Sequence, residues 1–122
     1  MVTIAVDISF QIHTALGPGL LESVYEAVFA YELDIRGIQY TRQQGIIARY
    51  KKAVLDVGFR ADLIMENKLV VEIKSIERLE KVHHKIVLTY LKMLEMKLAI
   101  LVNFNVTLIK EGIHRKISGE LL

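Results

Sequence analysis

The chain has 122 residues, is 52% hydrophobic and carries a formal net charge of +2. Its length predicts one domain over residues 1–122 with a single core, and no apolar run reaches the roughly 18 to 20 residues that a membrane-spanning helix needs. It has no cysteine, which excludes disulfides, thiolate metal sites and a cysteine nucleophile. We therefore expect a cytoplasmic protein without membrane contact, in which any binding of a polyanion is local.

The first third of the chain has the periodicity of helices. Apolar positions from Val6 to Leu16 predict a first helix, which stops at Gly17-Pro18-Gly19. A second helix is predicted from Leu20 to Arg36, with Gly37 as its C-terminal stop. Its expected inner face consists of Leu20 or Leu21, Val24, Val28 and Tyr31.

The middle of the chain becomes rich in β-branched and aromatic residues, which favour strands. Four strands are predicted, at Ile38–Arg42, Ile46–Tyr50, Val54–Met65 and Leu69–Ser75. Gly45, Lys51-Lys52 and Glu66-Asn67-Lys68 supply the expected turns, and Gly58 indicates a bend or bulge.

A third helix is predicted from Leu79 to Met96, followed by a central strand from Leu98 to Phe104. The inner stripe of this helix is expected to be Val82, Ile86, Tyr90, Met93 and Leu94. One or two short strands should follow, near Val106–Lys110 and Ile113–Ile117. The predicted order is α-α-β-β-β-β-α-β-β, an α/β (α+β) fold with a mixed sheet flanked by helices.

Three charged residues interrupt two of the predicted strands. Glu72 and Lys74 are two residues apart and so share one face of a strand. A three-residue loop at 66–68 would pair Met65 with Leu69 and place Asp62 directly opposite Glu72, whereas a two-residue loop would send the two carboxylates to opposite faces. The odd loop length is therefore the condition for a shared site.

Two carboxylates on one face are hard oxygen ligands suited to Mg²⁺ or Mn²⁺. Such a metal polarises a phosphate and activates a water, while Lys74 would stabilise developing negative charge. The alternative from spacing alone is an exposed hairpin in which Glu72 and Lys74 form ordinary cross-strand ion pairs.

A set of short motifs runs through nearly the whole chain. Gly19-Leu-Leu-Glu22-Ser-Val-Tyr25 matches the motif that names the GxxExxY proteins, and further matches are Leu16–Gly19, Ala61–Leu63, Val71–Lys74, Leu88–Lys92 and Leu101–Phe104. The chain thus resembles the GxxExxY family, a branch similar to the PD-(D/E)xK nuclease superfamily. The resemblance implies a restriction-endonuclease-like core, which agrees with the element order predicted above.

The resemblance also implies roles for individual residues. Asp62 and Glu72 correspond to the acidic metal ligands, Lys74 to the catalytic lysine and Glu22 to an additional acidic residue of the site. Glu22 is equally well explained as a first-turn glutamate favoured by the helix dipole.

Three further positions of the resemblance concern supporting residues. Tyr25 is expected to be buried with its hydroxyl orienting Glu22, and His83 and Tyr90 are supporting positions on the third helix. His83 is also explained as a solvated helix residue. Ile86 stands where the family usually has glutamine, which is a departure that bears on activity.

Basic residues suggest a nucleic-acid contact. Lys81, Lys85 and Lys92 fall on one helix face and, with Arg60, could hold a phosphate backbone, although such a stripe is often only a solvated face. Arg49, Lys51 and Lys52 near the hairpins are an alternative contact set. A homodimer is also an expectation, because two-fold pairing is common among domains that act on duplexes.

The leading hypothesis is a Mg²⁺- or Mn²⁺-dependent nuclease, or an inactive relative that still binds nucleic acid, with DNA favoured over RNA. The alternative is a non-catalytic module that binds nucleic acid or protein and keeps a vestigial metal site. A small-molecule hydrolase has no support, because the chain lacks a nucleophile elbow, a phosphate-binding glycine loop and a histidine-rich metal motif.

Overall fold

The structure is a computed structural model that describes residues 1–119, with the side chain of Val57 left out; the last three positions of the predicted domain, 120–122, lie outside it. Its helices are α1 (Val2–Leu16), α2 (Glu22–Ile35) and α3 (Lys81–Leu94), with a 3-10 turn at Ile109–Glu111. Its strands are β1 (Tyr40–Tyr50), β2 (Ala53–Met65), β3 (Leu69–Lys74), β4 (Leu98–Asn103) and β5 (Ile113–Ile117). None of the helices in this range is long and apolar enough to cross a membrane.

The five strands form one mixed sheet in the order β1-β2-β3-β4-β5. Among the strands that the structure describes, β3 and β4 are parallel and are connected by α3, while the other neighbours are antiparallel. Nearly every residue of β3 and β4 is buried, because helices cover both faces of these apolar strands. The predicted α+β fold is therefore confirmed.

Helices α1 and α2 pack on one face of the sheet and α3 on the other. The first cluster centres on Phe29, Leu33, Val71 and Ile100. The second centres on Val87 and Leu91 of α3 against Val70 and Leu101. The strands alternate between these two clusters, so β3 sends Val71 towards α1 and α2, and Val70 towards α3.

Helices α2 and α3 bury faces that agree only in part with the predicted ones: Val28 of α2 and Tyr90, Met93 and Leu94 of α3 pack against the core as expected, but the most buried residues are others. In α2 the buried residues are Tyr25, Glu26, Phe29, Ala30 and Leu33, whereas Tyr31 is 63% and Leu21 73% exposed. In α3 the buried residues are Val87 and Leu91, and the predicted inner residues Val82 and Ile86 are exposed. These helices carry apolar residues around most of their circumference, so periodicity alone did not identify the buried stripe.

The order of elements agrees with the predicted order, with two differences of detail. The first two predicted strands run on as the single strand β1, because Gly45 pairs with Arg60 in the ladder and makes no turn. The segment 106–110 leaves the sheet, because the Asn103 side-chain oxygen accepts the N–H groups of Ile76 and Asn105 and turns the chain. As expected, Gly58 lies at a bulge, where the β1–β2 register shifts and its φ is 79°.

Candidate metal centre

The β2–β3 hairpin has the three-residue loop that the shared site requires. Met65 pairs with Leu69, and Glu66 and Asn67 adopt φ values of 52° and 54° in the turn between them. The predicted pairing of Met65 with Leu69 is confirmed. The ladder ends at Leu63 and Val71, and the same register continued by one residue brings Asp62 level with Glu72.

At Asp62 and Glu72 the backbone hydrogen bonds between β2 and β3 are replaced by hydrogen bonds from backbone N–H groups to the two carboxylates. The Asp62 N–H donates to Glu72 Oε1 at 2.9 Å, and the Ile73 N–H donates to Asp62 Oδ2 at 2.8 Å. Each carboxylate therefore satisfies a backbone donor on the opposite strand, which holds both groups in place at the end of the ladder. Each carboxylate also retains acceptor capacity for a further partner.

The pair faces α3. Ile64 and Val70 pack in the cluster beneath α3, and residues two positions away on each strand share their face. The Tyr90 side chain on α3 provides a second indication: burial raises its pKa, and the charges of Glu72 and Asp62 add to the rise.

Asp62 and Glu72 both have raised pKa values, as expected for two carboxylates that lie close together. Burial raises the pKa of Glu72 to about 8, and the neighbouring Asp62 carboxylate adds to the rise. Burial likewise raises the pKa of Asp62, which the Ile73 N–H and the Lys74 ammonium oppose. Lys74 is half-buried on the same face as Glu72 and is the nearby cation. Glu72 is buried and Asp62 is half-buried, and when both are ionised beside one ammonium they carry an excess of negative charge that a divalent cation would offset.

The other acidic residue suggested by the sequence also lies here. Glu22 stands at the first turn of α2, and its Oε2 accepts the N–H of Ser75 at 3.3 Å. Because Ser75 follows Lys74 directly, the structure brings Glu22 to the same end of β3.

Glu26 and Gln43 are two members of this cluster that sequence reasoning missed. Glu26 is only 7% exposed, and it accepts hydrogen bonds from Arg42 at 3.0 Å and from Gln43. The same Gln43 amide donates to Asp62 Oδ1 at 3.1 Å, so Gln43 connects the two acids. Glu26 lies one helical turn after Glu22, and this spacing was the available signal.

Gln43 adopts a backbone conformation that is rare for its residue type. Its φ is 52°, the left-handed region that glycine tolerates best. The Arg60 guanidinium donates to its carbonyl oxygen at 3.2 Å. Arg60, suggested as a phosphate contact, therefore also supports the backbone of the residue that holds Asp62.

The supporting residues are placed differently from the expectation. The Tyr25 hydroxyl donates its only proton to the Gly17 carbonyl and accepts the N–H of Leu20, while its ring stacks on Phe104 at 4.5 Å. It therefore fixes the corner before α2 and cannot donate to Glu22, which corrects that prediction. His83 Nδ1 accepts the Glu80 N–H at 2.8 Å and stabilises the start of α3.

The lysines of α3 are exposed but spread along the sheet. Lys85 borders a shallow apolar pocket with Phe59, Ile86, Thr89 and Tyr90, beside the acidic pair. Lys92 lies beside Ile117, which pairs with Leu98 at the opposite end of the sheet from Lys74. Only the N-terminal part of the lysine stripe is therefore near the candidate site.

The chemistry of the acidic pair suits a divalent cation with oxygen ligands. Among residues 1–119 no group of three or more histidine, cysteine or acidic side chains is arranged to hold a metal ion. Mg²⁺ does not need such a cage, since it keeps several waters and binds through one or two carboxylates. Asp62 and Glu72 fit that requirement.

A protein-family model described as the PD-(D/E)XK nuclease superfamily matches residues 1–116. The chain belongs to this superfamily. No curated protein and no solved structure shows a significant match to it. The narrower resemblance to the GxxExxY proteins stays a prediction.

Proposed function

We propose that this protein is a metal-dependent nuclease that hydrolyses phosphodiester bonds, with Asp62 and Glu72 as ligands of Mg²⁺ or Mn²⁺. The observation that carries the proposal is the opposed pair of carboxylates where the β2–β3 ladder ends, next to Lys74. When bound, the cation would polarise the phosphate and lower the pKa of an attacking water.

The roles of the chain's own residues follow from their positions. Lys74 would hold the scissile phosphate and stabilise its developing charge. Glu22 at the adjacent end of β3 would accept a hydrogen bond from the attacking water or from a water on the metal. Gln43 and Glu26 would keep the Asp62 carboxylate turned towards the cation.

The surroundings of the site suit a nucleic-acid substrate. The exposed Lys85 side chain could contact a neighbouring phosphate, with Lys81 one turn before it and Arg60 at the edge of the site. DNA is the preferred substrate of the proposal, and the single domain, cytoplasmic location and homodimer remain predictions.

The direct test is cleavage of single- and double-stranded DNA and RNA with Mg²⁺ or Mn²⁺. Lys74→Ala should lower the rate by at least about 100-fold while the melting temperature stays close to wild type, because the ammonium acts on charge that develops during reaction. Lys68→Ala in the β2–β3 turn is the matched control and should cleave normally. Equal rates for Lys74→Ala and wild type would refute the catalytic role.

A binding module with a vestigial site is the second candidate, favoured by the apolar Ile86. If the wild type binds Mn²⁺ but cleaves no substrate, the nuclease proposal fails. Ile86→Gln then tests whether this position is the defect, since its side chain is 41% exposed and a glutamine can be accommodated there.

A further inference from the structure

Strands β1 and β2 extend well beyond the sheet that holds the candidate site. Strand β3 ends at Lys74, which lies level with Arg60 of β2 in the hairpin register. Beyond the bulge at Gly58, Ile47–Tyr50 pairs with Ala53–Asp56 alone. These residues, 47–56, form a two-stranded ribbon about 13 Å long, and no strand within residues 1–119 pairs with either of its edges.

The ribbon is exposed on both faces. Every residue from 47 to 56 is exposed apart from the half-buried Ala48. Tyr50 and Val54, which lie near the tip, are 67% and 60% exposed. A two-stranded hairpin of this kind buries little apolar surface and contributes little to stability by itself.

The tip of the ribbon is basic. It carries Arg49, Lys51 and Lys52 against the single acid Asp56. The ion pairs formed within residues 1–119 lie elsewhere, at Asp7–Arg36, Glu26–Arg42 and Arg78–Glu80. The Lys51 ammonium lies 5.4 Å from the centre of the Tyr50 ring, and none of these three ion pairs includes it.

The turn at the tip uses a residue type that its backbone disfavours. Tyr50 pairs with Ala53, so the loop has two residues, and Lys51 adopts a φ of 53°. Glycine or asparagine normally takes such a position in a tight hairpin. A lysine there costs backbone energy but adds a second ammonium at the end of the ribbon.

The ribbon leaves the sheet at the end where the acidic pair lies. Going back along β2 from Asp62, the chain passes Arg60 and Phe59 and reaches the ribbon at Asp56. Asp56 lies six positions before Asp62, a distance of at most about 20 Å along the strand. This span corresponds to about six base pairs of duplex.

We infer that the ribbon is a binding arm for duplex DNA, which it enters through the major groove while the neighbouring backbone reaches the acidic pair. The major groove of B-form DNA is about 12 Å wide and admits a two-stranded ribbon, and the three basic side chains meet the phosphates that border it. The inference deepens the proposed nuclease function by naming its substrate class.

The test is a binding measurement without metal, so that it does not depend on cleavage. Fluorescence anisotropy in EDTA compares wild type with an Arg49→Gln/Lys51→Gly/Lys52→Gln variant on a labelled 25-base-pair DNA duplex. Glycine at position 51 suits the turn, so the ribbon should still form. A Lys68→Gln/Lys110→Gln/Arg115→Gln variant removes three exposed charges from other elements as the matched control.

The ribbon variant should bind the duplex at least about tenfold more weakly, while the control stays within about threefold of wild type. The slope of log affinity against log salt should fall by up to about three for the ribbon variant, since each lost phosphate contact removes about 0.9. Wild type should bind the duplex more tightly than the corresponding single strand or RNA duplex, because the major groove of A-form RNA is too narrow for the ribbon.

Several outcomes would overturn the inference. These are equal losses for the ribbon and control variants, equal ribbon-dependent binding of an RNA duplex, and a ribbon variant that changes only the self-association seen by sedimentation. The nuclease proposal is judged separately. If binding depends on the ribbon but the wild type cleaves nothing, the nuclease proposal fails and the role of the ribbon stands. If the ribbon variant cleaves DNA as fast as the wild type, the role of the ribbon fails and the nuclease proposal stands.

Discussion

Gln43 has a backbone conformation that is unusual for glutamine, and its side chain contacts two acidic residues of the candidate site. It holds a left-handed backbone at φ 52°, and its amide joins Glu26 to Asp62. Residues in such conformations persist where the surroundings determine them, and they concentrate at functional sites. The sequence offered no signal for this, because one glutamine in a strand looks like any other.

We predict that Gln43→Gly separates stability from metal binding. Glycine adopts a positive φ without steric cost, so the free energy of unfolding should stay within about 1 kcal/mol of wild type. Loss of the amide should raise the Mn²⁺ dissociation constant about fivefold or more, as measured by calorimetry. Asn67→Gly, at φ 54° in the β2–β3 turn, makes the same backbone change away from the acids and is the control. Unchanged Mn²⁺ affinity in Gln43→Gly would remove the positioning role.

At the scale of elements, the face that a helix turns to the sheet decides which of its side chains contribute to stability. The α2 helix buries Phe29 completely against the sheet, and Tyr31 two residues later is 63% exposed. Both residues are large and aromatic, so the sequence did not distinguish them. The position of the sheet does, because only one side of α2 can contact it.

Phe29→Ala should therefore destabilise the protein by about 3 to 5 kcal/mol, the usual cost of the cavity that a truncated core aromatic leaves. Tyr31→Ala should change stability by no more than about 0.5 kcal/mol, as expected for an exposed position. Urea denaturation followed by circular dichroism measures both. Similar losses for the two variants would mean that α2 is packed through the face that periodicity suggested.

The hairpin loop is the element on which the site depends. Because Glu66-Asn67-Lys68 has three residues, Met65 pairs with Leu69 and the acids share a face. The sequence allowed this register and one alternative, since strand side chains alternate strictly and loop length sets the pairing, and the structure decided between them.

At the scale of the whole molecule, a rise in pH should lower the stability of the folded protein, and a bound divalent cation should restore it. The pKa of Glu72 is raised to about 8 from its ordinary 4.5, so the folded state binds a proton more tightly than the unfolded state. Stability from this group is present at low pH and is lost as pH rises from about 4.5 to 8. The loss should be on the order of 5 kcal/mol in metal-free buffer.

A divalent cation should reverse this trend, because it binds the deprotonated carboxylates. We predict that melting temperature falls between pH 5 and 8 in EDTA, and that Mg²⁺ or Mn²⁺ raises it most at the upper end. Glu72→Gln should remove both effects. A melting temperature of the wild type that does not depend on pH or on either metal would count against a cation at this pair.

The sequence by itself determined the class of fold and the order of its elements, and it limited the register of Asp62 and Glu72 to two alternatives. These follow from local rules, namely periodicity, strand alternation and loop length, which need no knowledge of distant contacts. Membership of the nuclease superfamily follows from the sequence as well, since the family model matches residues 1–116.

Only the tertiary structure decided which helix faces are buried, that Gln43 and Glu26 reach the acidic pair, and that Tyr25 fixes the corner at Gly17. Each of these depends on where elements far apart in the chain meet, which no local pattern specifies. The ribbon at 47–56 belongs to the same group. Its strands were predictable, but their lack of further neighbours is visible only once β3 is seen to end at Lys74.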